Sequence, residues 1–265
     1  MKKQKISIVG HTGFIGAYLC KYLKKEKFII KKINLRNKII SKLPESFLNE
    51  ILKSDVVINA AASLKPKSPE DYYLNERFPS ILSKINKNFK RKIIHLSSIN
   101  VLIKNRQDNY SLSKKKSEIN LKKYKQNLFV LRLPLIIQTV NGKIKNNGNL
   151  SYIYNYFKIL KLPIYPMIYP GHIYSPVELI YVAKTIKDII ENKNNKKIIN
   201  ISGVRSESLW SLSQKIAKIK KKKIFKINSL LVKKIIPNFL TKHIAKQDNF
   251  FQQILCIDHT NFKKN

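Results

Sequence analysis

The chain has 265 residues, 43% of them hydrophobic and 10% aromatic, enough to bury a full core in one compact unit or in a domain with a smaller lobe. Its net charge of +38 comes from 53 Lys and Arg against 15 Asp and Glu; only six of these bases are arginine, and the lysines are spread along the chain. That is a solvated surface suited to anionic substrates rather than a specific nucleic-acid site. No apolar run approaches the roughly 18–20 residues of a membrane span, so no membrane partner is expected. Cys20 and Cys256 lie far apart without metal-ligand spacing, which points to reduced thiols, a cytoplasmic location and no metal site.

The first element is an apolar strand, Ile6–Val9, which runs into Gly10-His-Thr-Gly-Phe-Ile-Gly16 and a helix over Phe14–Lys25. Gly10 allows a tight turn, Gly13 lets backbone approach a pyrophosphate, and Gly16 lets helix and strand pack closely. The helix N-terminus then presents N–H groups to an anion. Met1-Lys-Lys-Gln-Lys mimics the start of a signal peptide, but the following apolar stretch contains the glycine turn and His11, so strand–turn–helix is the better reading. His11 is taken as a loop residue near the bound ligand, not as a catalyst.

A second strand is expected at Phe28–Leu35, a helix at Pro44–Lys53 with proline in its first turn, and a strand at Asp55–Ala60. Next come a helix at Asn75–Ile85, a strand at Lys92–Ser98, a helix at Tyr110–Lys123 and a strand at Leu128–Leu133. This alternation predicts an α/β fold with a parallel sheet. Only Arg36 to Ser54 separates the second strand from Asp55, a short connection. After Pro134 the pattern becomes rich in Asn, Tyr and Pro, with a helix-like stretch at Leu150–Leu162. A helix at Pro176–Glu191 and a strand at Lys197–Ile201 return to the main sheet. The expected division is 1–137 with 172–203 as a dinucleotide-binding domain, and 138–171 with 204–265 as a substrate lobe.

Tyr110-Ser-Leu-Ser-Lys114 puts a phenol and an ammonium on one helix face, where the cation favours the phenolate. With the glycine turn, Asp55-Val-Val-Ile-Asn-Ala-Ala-Ala62, Asn75, Leu96-Ser-Ser-Ile-Asn-Val101 and Arg132-Leu-Pro134, the chain resembles the extended short-chain dehydrogenase/reductases (the NAD-dependent epimerase/dehydratase family). The resemblance is clear from about residue 5 to 203, where Tyr174-Ser-Pro-Val-Glu178 and Ile199-Asn-Ile-Ser-Gly203 match later landmarks, and fainter to Asp258. It implies a Rossmann-type doubly wound sheet with a small discontinuous C-terminal substrate lobe.

The same resemblance implies Tyr110 as acid/base, Lys114 as a ligand of the nicotinamide ribose, and Ser98 as a hydrogen-bond partner of the reacting oxygen, with Ser97 ranked second. It implies cofactor contacts at Gly10, Thr12, Gly13, Phe14, Ile15, Gly16, Ala60, Ala61, Ala62, Tyr110, Lys114, Pro134 and Leu135. Asn75 is either a residue that orders this site or a helix-start asparagine. The run Ile33-Asn-Leu-Arg-Asn-Lys38 carries no acid and two bases, so Arg36 is expected to read a 2′-phosphate and NADP is favoured, NAD remaining open.

Ile99-Asn100 stands where the family's sugar dehydratases carry Asp-Glu, which argues against dehydration. Gly171, Ser175-Pro176 and Ser208-Leu-Trp210 look like the dTDP-4-dehydrorhamnose reductase group. The resemblance therefore implies reduction of a nucleotide-linked 4-keto sugar for surface polysaccharide. A nucleotide-sugar epimerase and a non-catalytic NADP-binding, RNA-associated assembly subunit stay as alternatives. A homodimer is compatible with either enzyme.

Overall fold

The computed structural model of the protein describes residues 3–35, 38–104, 106–124, 127–146, 148–159 and 162–228; Arg36, Cys256 and the run Ile257–Phe262 lie outside them. Two compact units share the chain, one of residues 1–136 and 177–202, the other of 137–176 and 203–265.

The first unit is built on strands β1 (Lys5–Val9), β2 (Ile29–Ile33), β3 (Val56–Asn59), β4 (Lys92–Ser98) and β5 (Leu128–Leu133), closed at the edge by Ile198–Asn200. The order is Ile198–Asn200, β5, β4, β3, β1, β2, and every pairing is parallel. The interior strands β1, β3 and β5 read as near-continuous apolar runs because both sheet faces are covered there, whereas β2 at the edge buries only Ile33. Helix α1 (Phe14–Lys25) and the helix Leu179–Ile190 cover one face around Ile8, Leu19, Ile58, Leu131 and Ile186. Helices α2 (Glu45–Leu52), α3 (Pro69–Tyr72), α4 (Phe78–Phe89) and α5 (Asn109–Leu121) follow in the chain. The opposite face buries Val9, Leu48, Val57, Leu82 and Val130. The fold is thus a Rossmann-type, doubly wound α/β sheet.

Between β2 and β3 the described residues hold a short 3₁₀ turn at Ile40–Lys42 and α2, and no strand. This agrees with the short connection between them, where the family resemblance implies one further strand that is missing or reduced here, and it leaves β2 as an edge. Pro44 precedes the first turn of α2 as its cap residue instead of lying within it. Asn75 does not open a helix: α3 begins at Pro69 behind a Ser68–Asp71 capping box, and Asn75 sits inside a wide π-type turn, Tyr73–Arg77, leading into α4.

In the second unit, a hairpin joins Thr139–Val140 to Lys143–Ile144 through Asn141 and Gly142, both at positive φ as a tight two-residue turn requires. Phe157 and Tyr165 meet edge to face at 5.0 Å, tying the helix Ser151–Ile159 to the strand Ile164–Tyr169. That strand pairs in parallel with Lys223–Asn228, an element hidden in the sequence by the adjoining lysine run. Ser208 caps the helix Leu209–Lys220, accepting from the Ser211 N–H at 3.1 Å.

Candidate active site

β1 pairs with β2 on one side and β3 on the other, so the chain reverses its direction across the sheet here. The crevice beyond the carboxyl ends of such strands is where open α/β sheets take ligands. Gly10 has φ +83°, and a Cβ there would lie 2.6 Å from the Ala61 nitrogen. A Cβ on Gly16 would lie 2.2 Å from the Gly10 oxygen, so the turn and the first turn of α1 are in direct backbone contact. Thr12 and Gly13 are exposed, Phe14 and Ile15 are half-buried, and Gly16 is buried. Gly13 caps α1 with no side-chain cap and no acid in the first turn, so the positive end of a twelve-residue helix is open to an anion. Such a cradle fits the pyrophosphate of a dinucleotide.

Beside it, Asn59 ends β3 and accepts from the Ala61 N–H at 3.3 Å, holding the Ala60-Ala61-Ala62 turn. Asn75 grips the next residues from below: its Oδ1 accepts from the Ser63 N–H at 2.9 Å and its Nδ2 donates to the Ser63 carbonyl at 2.8 Å. The same Nδ2 donates to Ser113 Oγ on α5 at 3.0 Å. Fully buried in this position, Asn75 orders the loop and joins it to the helix carrying Tyr110.

Tyr110 and Lys114 lie one turn apart on α5, which packs against β4. Asp108 starts that helix, accepting from the Ser111 N–H at 2.8 Å and from Arg106 Nε at 2.6 Å. Lys114 is buried, and its ammonium donates to the Leu96 carbonyl at 3.0 Å. Burial lowers its pKa to about 8, against the opposing pull of Glu118. The expectation that Lys114 holds the Tyr110 phenol low is corrected in the protein alone. Burial first, and then Asp108, push the phenol well above its ordinary value. Tyr110 therefore stands as a protonated acid.

Ser98 ends β4 and its hydroxyl accepts from the Asn100 N–H at 3.2 Å. Ser97, the second-ranked candidate, is committed elsewhere: it donates to Glu118 Oε1 at 2.6 Å, and Glu118 is clasped by Arg132. The register pairs Ser98 with Leu133, so Pro134 and the buried Leu135 follow directly beside the Ser98 strand end. The carboxyl ends of the strands thus gather the glycine turn, the Ala60–Ala62 turn, Ser98 and Pro134, with Lys114 of α5 bound to the last residues of β4. Arg36 lies outside the described residues. The supporting polar groups escaped notice in the sequence, although His95 in an apolar strand and Glu118 one turn beyond Lys114 were visible signals. His95 is buried with Nδ1 3.3 Å from Asn59 Nδ2 and Nε2 3.4 Å from Ser117 Oγ.

Among the described residues no cluster of His, Cys, Asp and Glu could hold a metal, and no helix is long and apolar enough to cross a membrane.

Residues 6–120 match the family model of the NAD dependent epimerase/dehydratase family. No curated protein sequence matches the chain significantly. Among solved structures, the dTDP-4-dehydrorhamnose reductase of Bacillus anthracis str. Ames, in complex with NADP, superposes with a TM-score of 0.69 at 17% identity, over 86% of this chain and 84% of that one. A dTDP-4-dehydrorhamnose reductase ortholog from Clostridium acetobutylicum ATCC 824 gives 0.70 at 16% identity, over 92% and 93%. The UDP-glucuronic acid 4-epimerase of Bacillus cereus, in complex with NAD, gives 0.64 at 19% identity, over 84% and 85%.

Proposed function

We propose, starting from the match of residues 6–120 to the NAD dependent epimerase/dehydratase family, that this chain is an NAD(P)-dependent oxidoreductase that reduces a nucleotide-linked 4-keto sugar. The single observation that carries this reading is the pairing of an open, uncapped glycine-turn helix with a half-buried Tyr110 and a buried Lys114 at the same carboxyl end of the sheet. The likeness to a reductase solved with NADP supports that cofactor, and the likeness to an epimerase solved with NAD keeps NAD compatible. We assign the protein to the cytoplasm, where nucleotide-activated sugars are made, and its product to surface-polysaccharide synthesis. The second unit is assigned to the sugar nucleotide.

A bound reduced nicotinamide supplies hydride to the carbonyl carbon. The backbone N–H groups of Phe14, Ile15 and Gly16 would hold the pyrophosphate, with Ala60–Ala62 beneath the adenosine and Pro134 and Leu135 beside the nicotinamide. Ser98 Oγ donates a hydrogen bond to the sugar carbonyl oxygen and fixes its position. Tyr110 gives its phenolic proton to that oxygen as negative charge develops there. The Lys114 ammonium offsets the phenolate left behind.

Tyr110→Phe keeps the ring and removes only the hydroxyl. Dinucleotide binding should survive while turnover of a nucleotide-linked 4-keto sugar falls by roughly 10²–10⁴. Near-normal turnover by the variant would remove Tyr110 from the chemistry.

A further inference from the structure

His11 follows Gly10 in the turn between β1 and α1, and its Nδ1 lies 3.0 Å from the carbonyl oxygen of Ile33, the last residue of β2. A carbonyl oxygen only accepts, so Nδ1 must carry the hydrogen of this bond. That fixes the tautomer and leaves Nε2 as the ring atom available to a ligand, an acceptor in the neutral ring and a donor in the cation. The two nitrogens diverge across the ring, so Nε2 points away from the Ile33 carbonyl. The ring is only partly covered, and among the described residues Nε2 has no hydrogen-bond partner.

Val9 pairs with Ile33 in the parallel register, so the turn after β1 lies alongside the end of β2. A dinucleotide held by the glycine turn lays its adenosine ribose over the end of the second strand, where an Asp or Glu ordinarily meets the 2′-hydroxyl. Here the described end of β2 continues as Asn34-Leu35, with no acid, in a chain of net charge +38. We propose that His11 is a specificity-determining residue whose Nε2 donates to the 2′-phosphate of NADP. In the cationic ring both nitrogens donate, one to the Ile33 carbonyl, which holds the ring in line, and the other to a phosphate oxygen. A single imidazole then both clasps β1's turn to β2 and reads the ribose. The inference rests on the proposed dinucleotide site and adds a reader to it that is independent of Arg36.

Two substitutions separate the clasp from the reader. The amide of His11→Asn can replace the Nδ1 donor to Ile33 but reaches nothing in the place of Nε2, whereas His11→Gln places its amide near the Nε2 position. Calorimetric binding of NADP⁺, NAD⁺, 2′,5′-ADP and 5′-ADP is measured for the wild type and both variants. His11→Asn should weaken NADP⁺ and 2′,5′-ADP roughly tenfold or more and leave NAD⁺ and 5′-ADP within about twofold. His11→Gln should retain most of the preference for the 2′-phosphate. Equal weakening of both cofactors by His11→Asn, or no weakening of either, overturns the inference and leaves His11 as a clasp alone. A wild type that binds neither dinucleotide instead overturns the functional reading on which it rests.

Discussion

Lys114 shows how a single burial sets a working pH range. Its ammonium reaches the Leu96 carbonyl from a fully covered position, and this desolvation brings its pKa from 10.5 down to about 8. The difference is worth roughly 3 kcal/mol, borne by the folded state whenever the lysine is charged. Between pH 8 and 10.5 the unfolded chain keeps a proton that the folded chain has released, so this group makes stability rise with pH across that interval. Activity should run the other way. The phenolate formed on Tyr110 needs the Lys114 charge, and the phenol itself stays protonated far above neutrality. We expect kcat/KM for reduction to be level below neutrality and to fall with a one-proton slope above about pH 8. A profile that stays flat to about pH 9.5 would mean that the lysine charge is not used.

At the scale of elements, β4 and α5 are joined largely by polar groups: apart from Leu121, α5 buries Ser111, Ser113, Lys114 and Ser117. His95 spans from Asn59 on β3 to Ser117 on α5, and burial, reinforced by Lys114, holds its ring neutral with a pKa well below the ordinary value. In the unfolded chain the same ring takes a proton below about pH 6.5. The stability it contributes is therefore whole above that value and is lost as pH falls through it, by up to about 1.4 kcal/mol per pH unit. Urea midpoints for the wild type should drop between about pH 7.5 and 5.5, and His95→Gln should flatten that drop while lowering stability at both values. An unchanged drop in the variant would assign the acid sensitivity to other groups. Strands β4 and β5 and helix α1 were legible to the residue, because each is a periodic or unbroken apolar run between clear stops. The positions of Tyr110 and Lys114 on one helix face and of Ser98 at a strand end were legible, the first from their spacing and the second from the apolar run before it, while the roles proposed for them rest on the family resemblance. What holds them was not: Asp108 reads equally well as a surface acid, and the Ser97–Glu118–Arg132 clasp joins three elements separate in the chain. The strand Lys223–Asn228 escaped because its pairing partner lies far upstream, at Ile164–Tyr169.

At the scale of the whole molecule, 53 bases face 15 acids, and the ion pairs consume acids that are already scarce. Glu50 serves both Lys31 and Lys53, Glu118 serves Arg132, and Glu207 serves Lys215. With 53 bases to 15 acids, most bases cannot be matched one to one by an acid, and the repulsion of such an excess charge weakens the compact state. Added salt shortens the screening length from about 30 Å at 0.01 M to about 5 Å or less near 0.5 M, so the folded state should gain as repulsion fades. If repulsion at low salt costs about 1–2 kcal/mol, the thermal midpoint should climb by several °C over that range. The same salt should strip the protein from any duplex DNA or RNA, since nonspecific binding falls with a slope set by the number of phosphates neutralised. Thermal scans and filter binding across one salt series test both effects of the one cause. A midpoint that does not move, together with sequence-selective nucleic-acid binding that persists at physiological salt, would show that the lysines form a dedicated nucleic-acid site rather than a diffuse charged surface.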